Sequence, residues 1–372
     1  MKTSARRTVA ALLAATAALA LVACSSTGTS STTSSAVPTA ADGSTLISAE
    51  RCQQNRAAGK ITFLTSYVFA ASVGILDVVA ADQLGYLKAL CLDVELQPGS
   101  TNAQLVSAGT AQIAGLGSAS DVMVARASDA KNLQSIATYG NQGAIEILTM
   151  GDSGINSLAD FAGKTVGYKV AISAQFSAMF KDNGVDPSTI NWVSVGFDPQ
   201  ILPDGQVQAL GAFKSNEPNV LRNRGYDVKE WDPEDYGVRS TFNTQVVNTE
   251  WGKAHPTAVE DFLRASFKAY DWINASDANL DTALGWAKDR SEAGYDLAMS
   301  KLRWQTEVKL VKDSQPAGLA LGQQSEDQWK PEADALVTYK LVPSAPSITD
   351  SQNNSFIDAI YGSDGTLIWP AP

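Results

Sequence analysis

From Lys60 onward, short runs of β-forming residues alternate with stretches in which apolar residues recur at helical spacing. That rhythm limits the fold more than any other feature of the chain. Ile61-Thr62-Phe63-Leu64 is a β-rich run, and Val73, Leu76, Val79, Ala80 and Leu84 then share a helical face that stops at Gly85. Leu92, Val94 and Leu96 alternate until Pro98-Gly99 breaks the strand. Next come a helix over 102–108 capped by Asn102, a strand over 112–116, a helix over 121–127 capped by Ser118 or Ser120, and a strand over 133–138. Strands alternating with helices imply a mainly parallel sheet with both faces covered. The rhythm restarts after 145–150. A helical turn is expected at 158–161, strands over 164–168, 190–195, 208–213 and 226–231, and helices over 172–182 and 218–224, which makes a second α/β lobe. The last third reads as helix, over 256–273, 281–288, 295–311 and 325–336. Trp272, Trp286, Trp304 and Trp329 are expected to pack these helices together.

Ahead of this, Lys2, Arg6 and Arg7 precede an uncharged apolar run over 8–22, short for a membrane span. The run ends in Leu21-Val22-Ala23-Cys24, which resembles the lipobox of bacterial lipoproteins. That resemblance implies a leader, residues 1–23, removed before Cys24, and a diacylglycerol on the Cys24 thiol. The expected location is the outer face of the cell membrane. Ser25 to about Thr45 is almost entirely Ser, Thr, Ala and Gly, so residues 24–57 are read as lipidated cysteine and flexible tether. Acyl chains supply anchoring at about 0.8 kcal/mol per buried methylene. Lipid on Cys24 leaves Cys52 and Cys91 as an even pair in an oxidising compartment. A disulfide is expected between them, with two buried free thiols as the alternative.

The remaining chain, about 320 residues, suits two lobes better than one core. A net charge of −11 argues against nucleic acid, which needs a basic surface. His255 is the single histidine of the chain and cannot build a His-rich metal site. No Gly-x-Ser-x-Gly elbow, phosphate loop or Cys-x-x-Cys pair occurs. Neither an enzyme nor a cofactor is expected.

Several strings then fall in order. Asp82-Gln83-Leu84-Gly85-Tyr86-Leu87 with Leu92-Asp93-Val94-Glu95-Leu96 comes first, then Gly115-Leu116-Gly117-Ser118-Ala119-Ser120-Asp121 with Arg126. Ser153-Gly154-Ile155-Asn156-Ser157-Leu158 running on to Gly163-Lys164-Thr165-Val166-Gly167 follows, then Asn216-Glu217-Pro218, Asp235-Tyr236-Gly237-Val238 and His255-Pro256 with Phe262-Leu263-Arg264-Ala265. Together they resemble the solute-binding proteins of ABC importers for thiamine-pyrimidine precursors, riboflavin, sulfonates and nitrate. The likeness runs from about Lys60 to Tyr361. It implies a two-lobed α/β periplasmic-binding-protein fold of type II, with two mixed sheets flanked by helices. Lobe 1 would be 58–143 plus 246–372 and lobe 2 144–245, with crossings near 144–148 and 241–246. A small molecule would bind between the lobes. A membrane permease is the implied partner, and a monomer is expected.

In such folds the ligand lies outside the carboxyl ends of strands, at helix N-termini. The segments that fit supply Tyr67, Phe69 and Ser72 after the first strand, and Ser118, Ser120 and Asp121 at a helix start. Tyr139 and Asn141 come before the first crossing, Tyr168 and Ser173 open the second lobe, and Asn216 and Glu217 follow a second-lobe strand. Aromatic rings, small hydroxyls and two acids suit a planar heterocycle better than an anion. Lys169 is the one basic residue of these segments, and strand alternation is expected to turn it outward. The thiamine-pyrimidine binders carry "D-W-x-P-N-x-x-H-x-G" after the first strand. Here the stretch is Thr65-Ser66-Tyr67-Val68-Phe69-Ala70-Ala71-Ser72-Val73-Gly74, which keeps only the glycine and leaves a flavin-like ring as open as a pyrimidine. The same fold could also hold a sulfonate or nitrate. A pyrimidine-synthase-like enzyme and a structural envelope lipoprotein are the alternatives of other classes.

Overall fold

The computed structural model describes residues 46–169, 172–291 and 294–372; the leader, Cys24 and most of the expected tether lie outside the described residues. Among the described residues ten strands follow one another as β1 (Lys60–Thr65), β2 (Asp93–Pro98), β3 (Ile113–Leu116), β4 (Leu133–Gly140), β5 (Ile145–Met150), β6 (Thr165–Tyr168), β7 (Asn191–Ser194), β8 (Ala209–Phe213), β9 (Val228–Trp231) and β10 (Phe242–Asn248). They form two five-stranded sheets, ordered β2-β1-β3-β10-β4 and β7-β6-β8-β5-β9. β1 runs parallel to β2 and β3, whereas β10 runs antiparallel between β3 and β4. In the second sheet β6 is parallel to β7 and β8, and β5 is antiparallel to β8 and β9. Each sheet is therefore mixed. Its reversed member, β5 or β10, is the first strand laid down after the chain crosses between lobes.

Alternation along the strands gives each sheet two buried faces. In lobe 1, Ile61, Phe63 and Ile136 pack with the helices Leu76–Gln83, Pro256–Asn274 and Asp277–Asp289, while Leu64, Ala114 and Val246 pack with Ala119–Ala127 and Glu326–Thr338. In lobe 2, Ile147, Val166 and Trp231 meet Phe161, Phe176 and Phe180, and Leu148, Leu210 and Val228 meet Leu202 and Leu221. The 19-residue helix Pro256–Asn274 starts at a proline, whose fixed φ suits a first helical turn, and sets the Phe262 ring 5.3 Å from that of Phe63. Trp304 and Trp329 are fully buried, and Trp272 stacks on Trp286 with centroids 5.6 Å apart, so all four tryptophans pack helices as expected.

Two boundaries differ from the sequence reading. Residues 49–57, read as tether, form the helix Ala49–Ala57. It has no apolar stripe for periodicity to reveal, and its hold is polar and covalent. Arg51 pairs with Glu260 at 2.6 Å and Asp261 at 2.8 Å, Asn55 donates to the Leu90 carbonyl at 2.8 Å, and Cys52 is bonded to Cys91. The second difference is the return crossing. β10 belongs wholly to the first sheet, so the chain has crossed back before Phe242, upstream of most of the expected 241–246.

The Cys52–Cys91 bond joins positions 39 residues apart. Closing a loop of that length removes unfolded-state entropy worth about 4 kcal/mol. The double variant Cys52→Ser/Cys91→Ser should lower the urea midpoint correspondingly, and reductant should shift the wild type but not the variant. Coincident urea curves for wild type and variant would show that the bond carries no stability.

Candidate functional site between the lobes

The carboxyl ends of β1 and β3 in lobe 1 and of β6 and β8 in lobe 2 open into residues 66–75, 117–118, 169, 172–173 and 214–216. Two helices of the last third reach these segments, and each brings a buried carboxylate. Glu307, on the helix Leu297–Asp313, accepts from the Ser72 hydroxyl at 2.6 Å and the Val73 N–H at 2.9 Å through Oε2. Its Oε1 accepts from the Ser215 hydroxyl of lobe 2 at 2.8 Å. One side chain thus bonds both lobes. Glu332, on Glu326–Thr338, accepts through Oε2 from the N–H of Ser120 at 2.8 Å and from its hydroxyl. Its Oε1 accepts from the N–H and hydroxyl of Thr241, both at 2.6 Å. It thereby ties a helix start of lobe 1 to the return crossing.

Further polar contacts join the lobes. Arg303 donates to the Asn216 side chain, Asn219 to Thr306 at 3.4 Å, and the Tyr339 hydroxyl to Asp182 at 2.7 Å. At the first crossing Gln142 reaches Asp232 at 3.2 Å, and Lys214 pairs with Asp232 at 2.6 Å. On the lobe 1 side, Asn243 takes φ +47°, a left-handed conformation that asparagine tolerates. From there its side-chain amide donates to the Ser72 hydroxyl at 3.1 Å and to the Val73 carbonyl. The floor enclosed by Ser66, Val73, Gly74, Tyr139, Asn243 and Gln245 is too tight to admit a water molecule. Gly74 is the glycine kept from the family string. It sits at φ +78°, and a Cβ there would press on the Tyr139 ring at 3.3 Å.

The twelve expected ligand residues fall into three groups. Tyr67 is exposed at the mouth; Tyr168, half-buried, ends β6; and Ser173 caps the helix Ala174–Asp182 by accepting from the Gln175 N–H at 3.1 Å. Ser72 and Ser120 face the cleft but are bonded to Glu307 and Glu332, and Asn216 is bonded to Arg303. Asn141 is held by Ser314 and Gln328 at the crossing. The rest serve the structure around the cleft. Ser118 and Asp121 form a capping box, Phe69 is buried beneath the Arg290 guanidinium, and Tyr139 is fully buried with its hydroxyl on Asp77 at 2.5 Å. Glu217 pairs with Lys169 and accepts the Phe213 N–H at 2.7 Å. Lys169 therefore points inward, against expectation. It lies one residue past the end of β6, where strand alternation no longer governs, and the buried Glu217 carboxylate draws it in.

The residues missed were Glu307, Glu332, Asn243 and Thr241. A signal existed for the two acids: Trp304-x-x-Glu307-Val308-x-x-Val311 and Trp329-x-x-Glu332-Ala333-x-x-Leu336 repeat one pattern, an acid inside an apolar helical stripe. Burial pushes both carboxyls up. Ser72, the Val73 N–H, Arg303 and Ser215 pull Glu307 back down, as Ser120 and Thr241 do for Glu332. Below the floor, burial raises Asp77 to about 7 against the pull of the Tyr139 hydroxyl. At the first crossing, burial raises Glu146 to about 8, with Glu230 adding to it and Lys214 opposing.

Two mixed α/β lobes with chain-crossing points between them and a polar cleft at the carboxyl ends of their strands define the two-lobed fold of periplasmic binding proteins. A family model described as NMT1/THI5 like matches residues 73–278, more than half of the chain, and the chain belongs to that family. The formylaminopyrimidine-binding protein of Halalkalibacterium halodurans is 25% identical over 233 residues, covering 61% of this chain and 69% of that one. The periplasmic aliphatic sulphonate binding protein SsuA of Escherichia coli superposes with a TM-score of 0.59 at 13% identity, over 79% of this chain and 92% of that one. The desulfurization enzyme DszB superposes at 0.52 with 13% identity, over 80% and 98%. At such identities these two share the fold, which serves binding proteins and an enzyme alike.

Asp77 and Glu146 hold protons in the folded state that the unfolded chain has already lost, so the stability present below their ordinary range is lost as pH rises toward 7 and 8. The slope is about 1.4 kcal/mol per pH unit for each group. Glu146→Gln cannot ionise, so its melting temperature should fall less than that of wild type between about pH 5 and about pH 8. Equal falls would show that Glu146 carries no such proton.

Proposed function

We propose that this protein is the extracytoplasmic, lipid-anchored substrate-binding component of an ABC importer. As a monomer, it captures a small planar heterocycle between its lobes and delivers it to a membrane permease. The observation that carries the ligand class is where apolar surface is left open. Tyr67 and Val68 follow β1, Ile172 follows β6, Phe197 follows β7 and Phe213 ends β8; all five are exposed, Tyr67 at 54% and Phe197 at 58%. Exposed apolar side chains scattered singly need no explanation, but these gather on the strand ends that edge one cleft. Rings from both lobes offer faces for stacking. Val68 is β-branched yet sits at φ +36°, a strained conformation of the kind found on ligand-binding loops. The curated relative's name points the same way, to a pyrimidine.

Capture then needs the lobes to part. The contacts that Ser215, Asn216 and Asn219 make with the Leu297–Asp313 helix are polar side-chain bonds that water can replace, so opening is inexpensive. A ligand closes the cleft by its greater affinity for the closed form.

Formylaminopyrimidine, hydroxymethylpyrimidine and riboflavin form a direct test panel. A true ligand at a hundred times its Kd should add about 2.7 kcal/mol of stability. Tyr67→Ala and Phe197→Ala should each weaken it by about tenfold in calorimetry. Affinity untouched by both changes would put the site elsewhere. Membrane attachment is tested separately: Cys24→Ala should move the protein from the membrane pellet to the soluble fraction, and continued pelleting would rule out the lipid anchor.

A further inference from the structure

Building on the reading of the cleft as a ligand site, we propose that Glu307 sets the charge of what the cleft accepts. Its carboxylate holds the donors that an anion would require and repels anions, so the ligands that enter are neutral or cationic and carry N–H groups. The Ser72 hydroxyl, the Val73 N–H and the Ser215 hydroxyl converge from both lobes on one point. Convergent donors at strand ends are what a sulfonate or nitrate would use. Here they converge on an internal carboxylate that is itself buried, with only 4% of its surface exposed. Repulsion between like charges is several times stronger there than in water.

Glu307 cannot easily swing away. Trp304 and Val308, one turn before it and next to it, are buried in the lobe 1 core, and the Trp304 indole donates to Asn274 at 3.1 Å. The described cations near the cleft already have partners, Lys214 with Asp232 among them. Lys169 is matched by Glu217, while Arg303 lies one turn from Glu307 on the same helix and bonds to Asn216. The two carboxylate oxygens are also divided between the lobes. Oε2 takes its donors from lobe 1, whereas Oε1, among the described residues, accepts from Ser215 of lobe 2 alone. Opening therefore uncovers one fixed acceptor, which a ring N–H or amino group can take and an anion cannot.

The test uses the full chain, ethanesulfonate and a neutral aminopyrimidine, read by thermal shift and calorimetry. Wild type and Glu307→Asp should show no shift with ethanesulfonate. Glu307→Gln should acquire one and should bind the aminopyrimidine about tenfold more weakly or worse. Should Glu307→Gln fail to fold, Ser215→Ala serves instead. It uncovers Oε1 and leaves the charge in place, so it should still refuse ethanesulfonate and bind the aminopyrimidine at least as tightly as wild type. Ethanesulfonate binding by wild type or Ser215→Ala, or its refusal by a folded Glu307→Gln, overturns the proposal. Silence of wild type toward every heterocycle instead counts against the capture reading, which the ethanesulfonate arm does not touch.

Discussion

Two buried carboxylates organise the middle of this molecule. Glu307 and Glu332 each leave a helix anchored by a buried tryptophan one turn earlier, and each collects hydroxyl and N–H donors from loops or, at Ser120, from the first turn of a helix. An unpaired buried carboxylate is expensive, and so is a buried loop N–H without an acceptor. Each group removes the other's penalty. The loops at the strand ends can therefore be short and still be fixed, and the C-terminal helices are drawn across the line between lobes.

Much of the architecture was legible because it rests on periodicity. The strand runs at 61–64, 112–116 and 208–213 and the helices at 256–273 and 325–336 match observed elements within a few residues, since burial on one or two faces imprints spacing on the sequence. The Ala49–Ala57 helix left no such imprint because an ion-pair cluster around Asp261 and a disulfide hold it, and both partners lie far along the chain. The return crossing was misplaced for a related reason: the apolar residues of β10 read the same whether they join the lobes or lie within one.

The cleft was legible in its segments and not in its partners. The sequence identified which turns edge the cleft, because that follows from where strands end. It did not show that Ser72, Ser120 and Asn216 would already be bonded to residues some 90 to 235 positions away. Nor did it show that Glu217 would claim Lys169. Such pairings are tertiary and unsigned in local composition. The repeated tryptophan-to-glutamate spacing is the exception, since an acid within an apolar stripe has to be answered by something else in the fold.

The attachment of the Ala49–Ala57 helix has a mechanical consequence. Its bonds run to Cys91, Leu90 and Asp261, all in the lobe that also owns the last two long helices. Any pull on the N-terminus is thus delivered to that body, on elements apart from the strand-end turns. In the capture reading proposed above, the lobe built from one uninterrupted stretch of chain is the lever, and the other its stator. Whatever holds the leading end of the polypeptide can restrain the molecule without obstructing its stroke.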